Sequence, residues 1–330
     1  MSGDFSTQAD EARRIAEDVL WPDAAEVDAA DQVPESHFSA LDAAGLTGLV
    51  GLPDLPPGSA VIITQALATG CLATAFMWLQ HQGALLGVAR SATPIRTRWI
   101  GPLSSGAVRA GLATTGLQAP APLTAERHGA GWVLTGRAPW VTGWGSVAVL
   151  RIAALDGEVV RDFLIDALPA ATLAARPMDL IAAQASRTAE LTLDRHVVPA
   201  DRELSETSLE DWRMSSERRV NGTGALALGV ARRAAGLARS DALLAEIDAA
   251  AGILISASED DLPAVRAECA HLAIRAADSL ALAAGSRSVL RGNDVERLGR
   301  EARFCLVAGA SPRTRRALLA TFSGGGVDPH

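Results

Sequence analysis

GWVLTGRAPWVTG, the stretch from Gly131 to Gly143, decides the fold of this chain. Its apolar and polar residues alternate on both sides of Thr135-Gly136, a pair that is typical of tight turns. The pattern therefore predicts two strands joined as a hairpin. Successive residues of a strand point to opposite faces. We therefore expect Trp140 and Thr142 to share one face of the hairpin, with Val141 on the other.

A Trp and a Thr side by side would suit a planar heteroaromatic ligand. The indole ring offers a stacking surface, and the hydroxyl can hydrogen-bond to the edge of the ligand. The alternative is that Trp140 fills the core of the hairpin, where a large aromatic side chain usually lies. The hairpin by itself leaves both interpretations open.

The composition is that of an ordinary globular protein. The chain has 330 residues, of which 48% are apolar and 21% charged, enough for two or three domains. Its net charge is −8, all 30 cationic residues are arginines, and no basic block occurs. This excludes a surface built for nucleic acid. No run of 18 apolar residues occurs, so we expect no membrane-spanning helix.

The first residues of the chain and its cysteines indicate in which cellular compartment the protein functions. The first residues, MSGDFSTQADEARR, are polar and acidic, which argues against a secretory signal. Cys71, Cys269 and Cys305 are widely spaced in apolar helical surroundings, which predicts buried free thiols. We expect a cytoplasmic protein on these grounds. No set of His, Cys or carboxylate residues has the spacing of metal ligands, so no metal is expected.

Hydrophobic periodicity divides the chain into three zones: helical over 1–107, β over 108–205 and helical over 206–330. In the first zone, Trp21-Pro22 is predicted to stop the opening helix. In the third, breaks are predicted near Ser256 to Pro263 and Arg291 to Asn293, and the tail from Gly324 is expected to fray. The fold class is therefore α+β.

The middle zone carries many short strands, which predict a β-barrel or sandwich. His128-Gly129 and Asp156-Gly157 supply further turn signals between them. The candidate strands are Arg109 to Thr115, Leu123 to Arg127, Gly131 to Thr135, Trp140 to Thr142, Ser146 to Ala153, Arg161 to Ile165, Thr172 to Arg176 and Ala189 to Val198.

Three stretches in this order resemble the acyl-CoA dehydrogenase family. RAGLATTG (Arg109 to Gly116) stands where that family has a strand with a Thr-Glu-Pro signature. GWVLTGRAPWVTG is similar to its run ending in Trp-Ile-Thr, with Arg137 near a Lys position. LTLDRHVVPADREL (Leu191 to Leu204) is similar to its closing Val-Pro strand. The resemblance implies an N-terminal helical domain, a middle β-domain and a C-terminal helical bundle.

The resemblance also implies FAD, whose ring lies against the middle domain in that family. Trp140 would then stack near the ring, and Thr142 would hydrogen-bond its edge, with Val141 between them. Thr114 or Thr115 would supply a second hydroxyl, and the residues do not decide between the two. Hydroxyls at that edge tune a ring that accepts hydride.

The usual catalytic base of the family has no counterpart here. The resemblance places that Glu at Ala308 in REARFCLVAGAS (Arg300 to Ser311), and a methyl group cannot remove a proton. Some relatives carry the base at the start of the C-terminal domain, where this chain has Glu217. The alternative for Glu217 is a carboxylate that interacts with the helix macrodipole and neighbouring arginines.

A loop that holds the dinucleotide half of FAD across a subunit interface in the family is also missing. Between its first two C-terminal helices this chain runs GVARRAAGLARSDALL without that segment. Arginines on these helices could replace it, or they could simply be solvated or ion-paired. The candidates are Arg232, Arg233, Arg239 and Arg287. His81 could line an acyl tunnel or could only hydrogen-bond at a helix end.

Three functions follow as hypotheses. The first is an FAD-dependent oxidation of an acyl-CoA or related thioester between its α and β carbons. The second is a non-catalytic or acyl-CoA-binding subunit that pairs with a complete paralogue. The third is a flavin-dependent oxygenase or oxidase on the same fold. The resemblance implies a homo-oligomer or a hetero-oligomer with a paralogue.

Overall fold

A computed structural model describes residues 5–52, 55–91, 94–118, 121–218 and 220–323, without the side chains at 118 and 216–220. Helices form both ends of the chain and strands its middle, which confirms the α+β fold. The predicted fraying of the tail concerns residues outside the described part.

The helices are α1 (Phe5–Ile15), α2 (Trp21–Ala29), α3 (Glu35–Ala43), α4 (Ser59–Gly70), α5 (Leu72–Arg90), α6 (Pro94–Ser104), α7 (Leu209–Arg218), α8 (Val220–Leu237), α9 (Asp241–Ser256), α10 (Leu262–Ala284), α11 (Asp294–Val307) and α12 (Pro312–Ser323). The strands are β1 (Ala110–Ala113), β2 (Thr124–His128), β3 (Gly131–Val141), β4 (Val149–Asp156), β5 (Val159–Asp166), β6 (Leu173–Pro177), β7 (Ala189–Val198) and β8 (Glu203–Ser208).

The prediction that Trp21-Pro22 stops the first helix is wrong. A single π-helical turn, Ala16–Leu20, joins α1 to α2, and Pro22 lies in the first turn of α2. Proline is tolerated there because the first N–H groups of a helix have no partner within that helix. The helical path therefore continues to Ala29.

Helices α4 and α8 pack closely because small residues lie between them. A Cβ added at Gly229 of α8 would lie 2.5 Å from the Gln65 carbonyl oxygen and 2.5 Å from the Ala68 Cβ. No larger side chain fits at that contact without moving a helix apart from its neighbour. The α4–α8 contact joins the N-terminal helices to the C-terminal ones.

The middle of the chain forms one mixed sheet of eight strands in the order β6-β7-β3-β2-β4-β5-β8, with β1 also paired to β4. β1 and β2 both run parallel to β4, and the other pairs are antiparallel. The sheet ends with β8 at Ser208, and the helical part resumes at Leu209.

The predicted hairpin with a turn at Thr135-Gly136 is wrong, because β3 is one continuous strand. The hairpin is instead formed by β2 and β3, whose turn follows His128 at Gly129. Gly136 lies at a bulge where the pairing with β7 shifts, and its φ of 132° requires glycine. The glycine that suggests a turn in the sequence thus marks a bulge.

Trp132 provides the large aromatic residue of the sheet's core. It is fully buried, and its ring meets that of Phe163 edge to face with centroids 5.8 Å apart. The guanidinium groups of Arg127 and Arg161 lie 4.3 and 4.4 Å from the Trp132 ring centroid. The core tryptophan of this hairpin is therefore Trp132 and not Trp140.

Two ion pairs connect the beginning of the chain to its end. Arg233 of α8 binds Glu17 at 2.6 Å, and Arg300 of α11 binds Asp28 at 2.5 Å. Arg300 also donates to the carbonyl oxygen of Ile181, at 2.6 Å. These contacts fasten α1 and α2 against the C-terminal helices.

The described part of the chain contains no helix with both the length and the apolarity needed to cross a membrane. The three cysteines are buried and free, as predicted. Burial raises the pKa of the Cys269 and Cys305 thiols to about 12, so these thiols stay protonated at neutral pH. They are therefore unsuited to nucleophilic chemistry.

Candidate functional site

The predicted ligand-binding residues come together where β1 and β3 end. We call residues 114–115 and 140–142 the wall. The Thr115 hydroxyl donates to the Pro139 carbonyl oxygen, which joins the two segments. A Cβ added at Gly111 would lie 2.5 Å from the Thr142 carbonyl oxygen, so β1 and the end of β3 are in close contact. The structure thus places all five wall residues in one small region.

The side chains of Trp140 and Thr142 do not share one face of a strand, although the sequence predicts that they do. The pairing of β3 with β7 shifts between Ala138 and Val141, and Trp140 has a left-handed φ of 59°. Trp140 is 57% exposed, whereas Thr142 is only 2% exposed and Val141 is buried. A shared face is therefore wrong, because the bulge rotates Trp140 away from the regular pleat. The indole presents itself to solvent as an open surface.

The three hydroxyls of the wall differ in their availability. The Thr115 hydroxyl is already hydrogen-bonded to the Pro139 carbonyl oxygen. The hydroxyls of Thr114 and Thr142 make no hydrogen bond to any residue in the described part of the chain. These two therefore retain free hydrogen-bonding capacity, and the geometry favours Thr114 over Thr115 as the second hydroxyl.

A glycine-rich turn directly follows the wall and rests on a strained loop. The Gly143 N–H donates to the Ser186 carbonyl oxygen at 2.8 Å, and the Trp144 N–H donates to that of Arg187 at 3.1 Å. The Arg187 Nε in turn donates to the Trp144 carbonyl oxygen at 2.8 Å. Nothing in the sequence around Arg187 marks this residue as part of a site.

The corner between α11 and α12, at Ala308 and Gly309, is held by a buried arginine. Arg266 is 0% exposed, and its Nε donates to the Thr223 hydroxyl at 2.8 Å. Its Nη2 donates to the carbonyl oxygens of Cys305 and Ala308, the latter at 3.3 Å. These carbonyls carry the negative end of the α11 dipole, which partly compensates the buried charge.

Arg266 has no carboxylate within ion-pairing distance in the described part of the chain, and burial lowers its pKa. Its Nη1 atom is buried without a hydrogen-bond partner there. The corner therefore carries a methyl group at Ala308 and a cation beneath it. No acid or base for proton transfer is present at Ala308 itself.

Glu217, the predicted alternative base, lies one residue before the end of α7. Its side chain falls outside the described residues. Its role stays a prediction.

His81 is buried within α5, and both of its ring nitrogens are engaged. Nδ1 accepts from the Ala110 N–H at 3.0 Å, so Nε2 carries the proton and donates to the Leu103 carbonyl oxygen at 3.1 Å. Desolvation by burial lowers the pKa of His81 to about 4. His81 is therefore a neutral structural link between α5, α6 and β1, although it borders a small cavity of about 20 Å³.

Two of the arginines predicted to replace the missing loop are already engaged. Arg232 pairs with Asp248. Arg233 pairs with Glu17, donates to the Thr69 carbonyl oxygen at 2.7 Å and lies 4.1 Å from the Trp21 ring centroid. Arg239 and Arg287 make no ion pair within the described residues, and Arg239 lies in the short α8–α9 connection.

A groove of about 760 Å³ lies at the same connection, between α1, α4, α8 and α9. Leu237 and Leu244 line it together with charged residues that include Arg232 and Asp248. None of its lining residues belongs to the β region, so this groove is separate from the wall.

Comparison with known proteins supports the resemblance. Residues 4–107 match the family described as "Acyl-CoA dehydrogenase, N-terminal domain". The mitochondrial short-chain specific acyl-CoA dehydrogenase of Bos taurus is 26% identical over 215 residues. That match covers 60% of this chain and 52% of the relative, so the chain spans about half the length of the curated relative it matches.

Solved structures resemble the whole chain. The structure of a glutaryl-coenzyme A dehydrogenase in complex with glutaryl-CoA has a TM-score of 0.83 at 17% identity, covering 98% of this chain and 96% of that one. Butyryl-CoA dehydrogenase from Megasphaera elsdenii also has a TM-score of 0.83, at 16% identity, covering 98% of this chain and 99% of that one. A glutaryl-CoA dehydrogenase from Mycobacterium smegmatis in complex with FADH2 has 0.82 at 16% identity, covering 99% and 96%. At these identities the likeness establishes the fold alone.

Proposed function

We propose that this chain, whose residues 4–107 match the acyl-CoA dehydrogenase N-terminal domain and whose fold is that of solved acyl-CoA dehydrogenases, is an FAD-binding protein that oxidises an acyl thioester between its α and β carbons. The observation that supports this most directly is the wall. There an exposed indole and two hydroxyls without a hydrogen-bond partner among the described residues lie where the ends of β1 and β3 meet. The same fold occurs in an acyl-CoA dehydrogenase structure that contains FADH2.

The wall fits the ring system of FAD better than it fits a purely structural role. A structural tryptophan would be buried, and structural hydroxyls would be paired. Trp140 is instead exposed, and the hydroxyls of Thr114 and Thr142 have no hydrogen-bond partner among the described residues. A left-handed backbone at a non-glycine residue is costly and tends to occur at functional sites. Thr115 is the exception, since its hydroxyl already holds the two wall segments together.

In this proposal each wall residue has a separate task. FAD, when bound, supplies the group that accepts a hydride from the substrate. Trp140 offers its ring face for stacking, and Thr142 and Thr114 donate to the polar edge of the bound ring. Val141, buried and paired with Ala189, keeps the backbone of the wall in place.

Removal of the α-proton requires a base, and Ala308 cannot provide one. Glu217 is the carboxylate that we assign to this task, because family resemblance offers that second position.

The visible spectrum of the purified protein tests the proposal. We expect flavin absorbance, or its appearance on addition of FAD, and anaerobic bleaching of that absorbance by an acyl-CoA. Protein that neither contains nor takes up FAD would contradict the proposal. Oxygen consumption in a separate, air-saturated sample with acyl-CoA would identify an oxidase or oxygenase instead.

The corner at Ala308 favours a second candidate, a subunit that binds acyl-CoA without oxidising it. A buried cation beneath a methyl group is poorly suited to proton abstraction. Ala308→Glu tests this candidate, because it restores a carboxylate where the family carries one. If only the base is missing, dye reduction by acyl-CoA should rise by about 100-fold or more.

Val307→Glu is the matched control for that experiment, since Val307 is exposed one residue earlier on the same helix end. A wild-type protein that already reduces the dye at a rate typical of enzymes would reject the non-catalytic candidate. No gain in Ala308→Glu, in protein that binds both FAD and acyl-CoA, would show that more than the base is missing.

A further inference from the structure

We propose that Arg187, beside the turn that follows the wall, forms a subsite for a phosphate group. The proposal deepens the proposed function and rests on it where the phosphate is that of a flavin nucleotide. The same chemistry is offered by the phosphates of coenzyme A, and the experiment below distinguishes the two sources.

The Arg187 guanidinium occupies the space that a side chain on the turn would fill. A Cβ added at Gly145 would lie 2.9 Å from Nη2 and 3.3 Å from Nε of Arg187. Gly145 is exposed and has a φ of 80°, so the turn needs glycine both for its backbone and for this contact. Backbone and guanidinium thus meet at the surface within three residues of Thr142.

Arg187 differs from its neighbours in having no carboxylate to neutralise it. Arg137 and Arg176 share Glu190, and Arg151 binds Asp162. Arg187 makes no ion pair in the described part of the chain, and only its Nε is engaged, with the Trp144 carbonyl oxygen. Nη1 and Nη2 remain available as a two-pronged donor, the geometry that suits phosphate oxygens.

The loop that carries Arg187 holds it in a fixed and strained position. Arg187 and Ala183 have φ values of 50° and 55°, on either side of the 3₁₀ turn Gln184–Ser186. The Arg187 carbonyl oxygen and Nε are both bonded to Trp144. A side chain fixed in this way loses little conformational entropy when it binds a ligand.

Two of the four arginines considered as replacements for the missing loop are occupied elsewhere. Arg232 and Arg233 lie in ion pairs on the helices. A dinucleotide at the wall would bring phosphate charge without these partners. Arg187, which has no ion pair within the described residues, lies next to the wall.

The experiment measures ligand affinity by calorimetry in the wild type, in Arg187→Gln and in Arg187→Lys. Inorganic diphosphate is the first probe. We expect Arg187→Gln to weaken its binding about 10-fold or more, since hydrogen bonds to charged groups are strong. Arg187→Lys keeps the positive charge but loses the paired guanidinium donors. Its affinity for diphosphate should therefore lie between those of the wild type and Arg187→Gln. Arg176→Gln is the matched control, because Arg176 is exposed and paired, and it should change affinity less than 2-fold.

Two ligand pairs then identify the source of the phosphate. A loss of FMN affinity in Arg187→Gln without loss of riboflavin affinity would assign the subsite to the flavin nucleotide. A loss for coenzyme A without loss for pantetheine would assign it to the thioester carrier. Equal losses for the ligands with and without phosphate would overturn the proposal, as would a wild type that does not bind diphosphate.

Unfolding temperature of each ligand-free variant shows whether it folds. If Arg187→Gln does not fold, Arg187→Lys decides: at least a 3-fold loss of diphosphate affinity supports the subsite, and no loss overturns it. Absorbance of added FAD is scored separately. Protein that takes up no FAD but binds diphosphate through Arg187 would reject the proposed function and leave the subsite standing.

Discussion

The backbone of Trp140 sets what its side chain can do. An alternating strand would have placed the indole on the same face as Thr142, but the bulge and the φ of 59° leave it open to solvent. The strain is local, and the side chain contributes little buried surface to offset it. We therefore expect function, and not stability, to account for a tryptophan at this position.

Replacing Trp140 by glycine separates these two contributions. Glycine adopts a left-handed backbone without strain, so the free energy of unfolding of the ligand-free protein should stay unchanged or rise by about 1 kcal/mol. FAD affinity should fall at least 10-fold. Denaturant unfolding and FAD titration measure the two effects. Leu168→Gly is the control, since Leu168 is also exposed but has no positive φ, and it should lower stability. A large loss of stability in Trp140→Gly would contradict this account.

His81 makes the stability of the folded chain depend on pH. Its pKa is about 4 in the folded chain and near 6.5 when unfolded, so between these values the unfolded chain binds more protons. Stability is therefore complete above pH 6.5 and decreases as the pH falls toward 4, by about 3 kcal/mol from this residue. Burial also lowers the pKa of His37 and His196, which adds to the slope in the same direction.

The variant His81→Gln should be less stable than the wild type at pH 7.5, because glutamine cannot bridge Leu103 and Ala110 as the imidazole does. Its stability should then fall less steeply between pH 6.5 and 4. Urea unfolding at several pH values measures both effects. His128→Gln, at an exposed position, should keep the wild-type slope. An identical slope in His81→Gln and the wild type would show that His81 is not the source.

At the scale of elements, helices with a clear apolar pattern and strands between turn signals could be predicted from the sequence. The strand Ala189–Val198 is an example. What could not be predicted were the places where a local signal has two physical meanings. Gly136 fits a turn or a bulge, and Pro22 fits a helix end or a helix start. Tertiary contacts distinguish the two meanings: Gly136 lies where β3 pairs with β7, and the turn Ala16–Leu20 that leads to Pro22 packs against Gly70 of α4.

The same limit applies to the candidate site. The hydroxyls and the indole could be found from the motif, because their chemistry is visible in the residue types. Arg187 and Arg266 could not be found in this way. The role of an arginine depends on the groups that it contacts, and the partners of these two lie far away in the sequence.

The close contact between α4 and α8 depends on glycine at position 229, because glycine has no side chain. Gly229→Ala should lower the free energy of unfolding by about 1–3 kcal/mol, because its Cβ would overlap Gln65 and Ala68. Gly236→Ala is the matched control on the same helix. Nothing lies within 4 Å of a Cβ there, so it should stabilise the protein by about 0.5–1 kcal/mol. Thermal unfolding measures both, and equal effects of the two substitutions would contradict the packing argument.

At the scale of the whole molecule, the end of α10 and the turn after it carry exposed large apolar side chains, which we call the patch. Leu282 is 84% exposed, and Val289 and Leu290 are also exposed. Exposed apolar side chains that are close in the sequence are often found on surfaces that associate. We therefore expect this patch to contribute to the oligomer that the family resemblance implies.

Leu282→Glu should shift the protein to a smaller species in sedimentation velocity, because a carboxylate is costly to bury in an apolar interface. Leu168→Glu, at an exposed leucine of the β region, should leave the mass unchanged. The same mass for wild type and Leu282→Glu would place the interface elsewhere.

The ion pairs of Arg233 and Arg300 have a consequence for how the chain is made. Their partners Glu17 and Asp28 lie 216 and 272 positions earlier. On the ribosome, the opening helices leave the exit tunnel long before α8 and α11 are translated. These two contacts can therefore form only after α8 and α11 have been synthesised. A chain cut short before α11 would lack Arg300, and Asp28 on α2 would lose this partner.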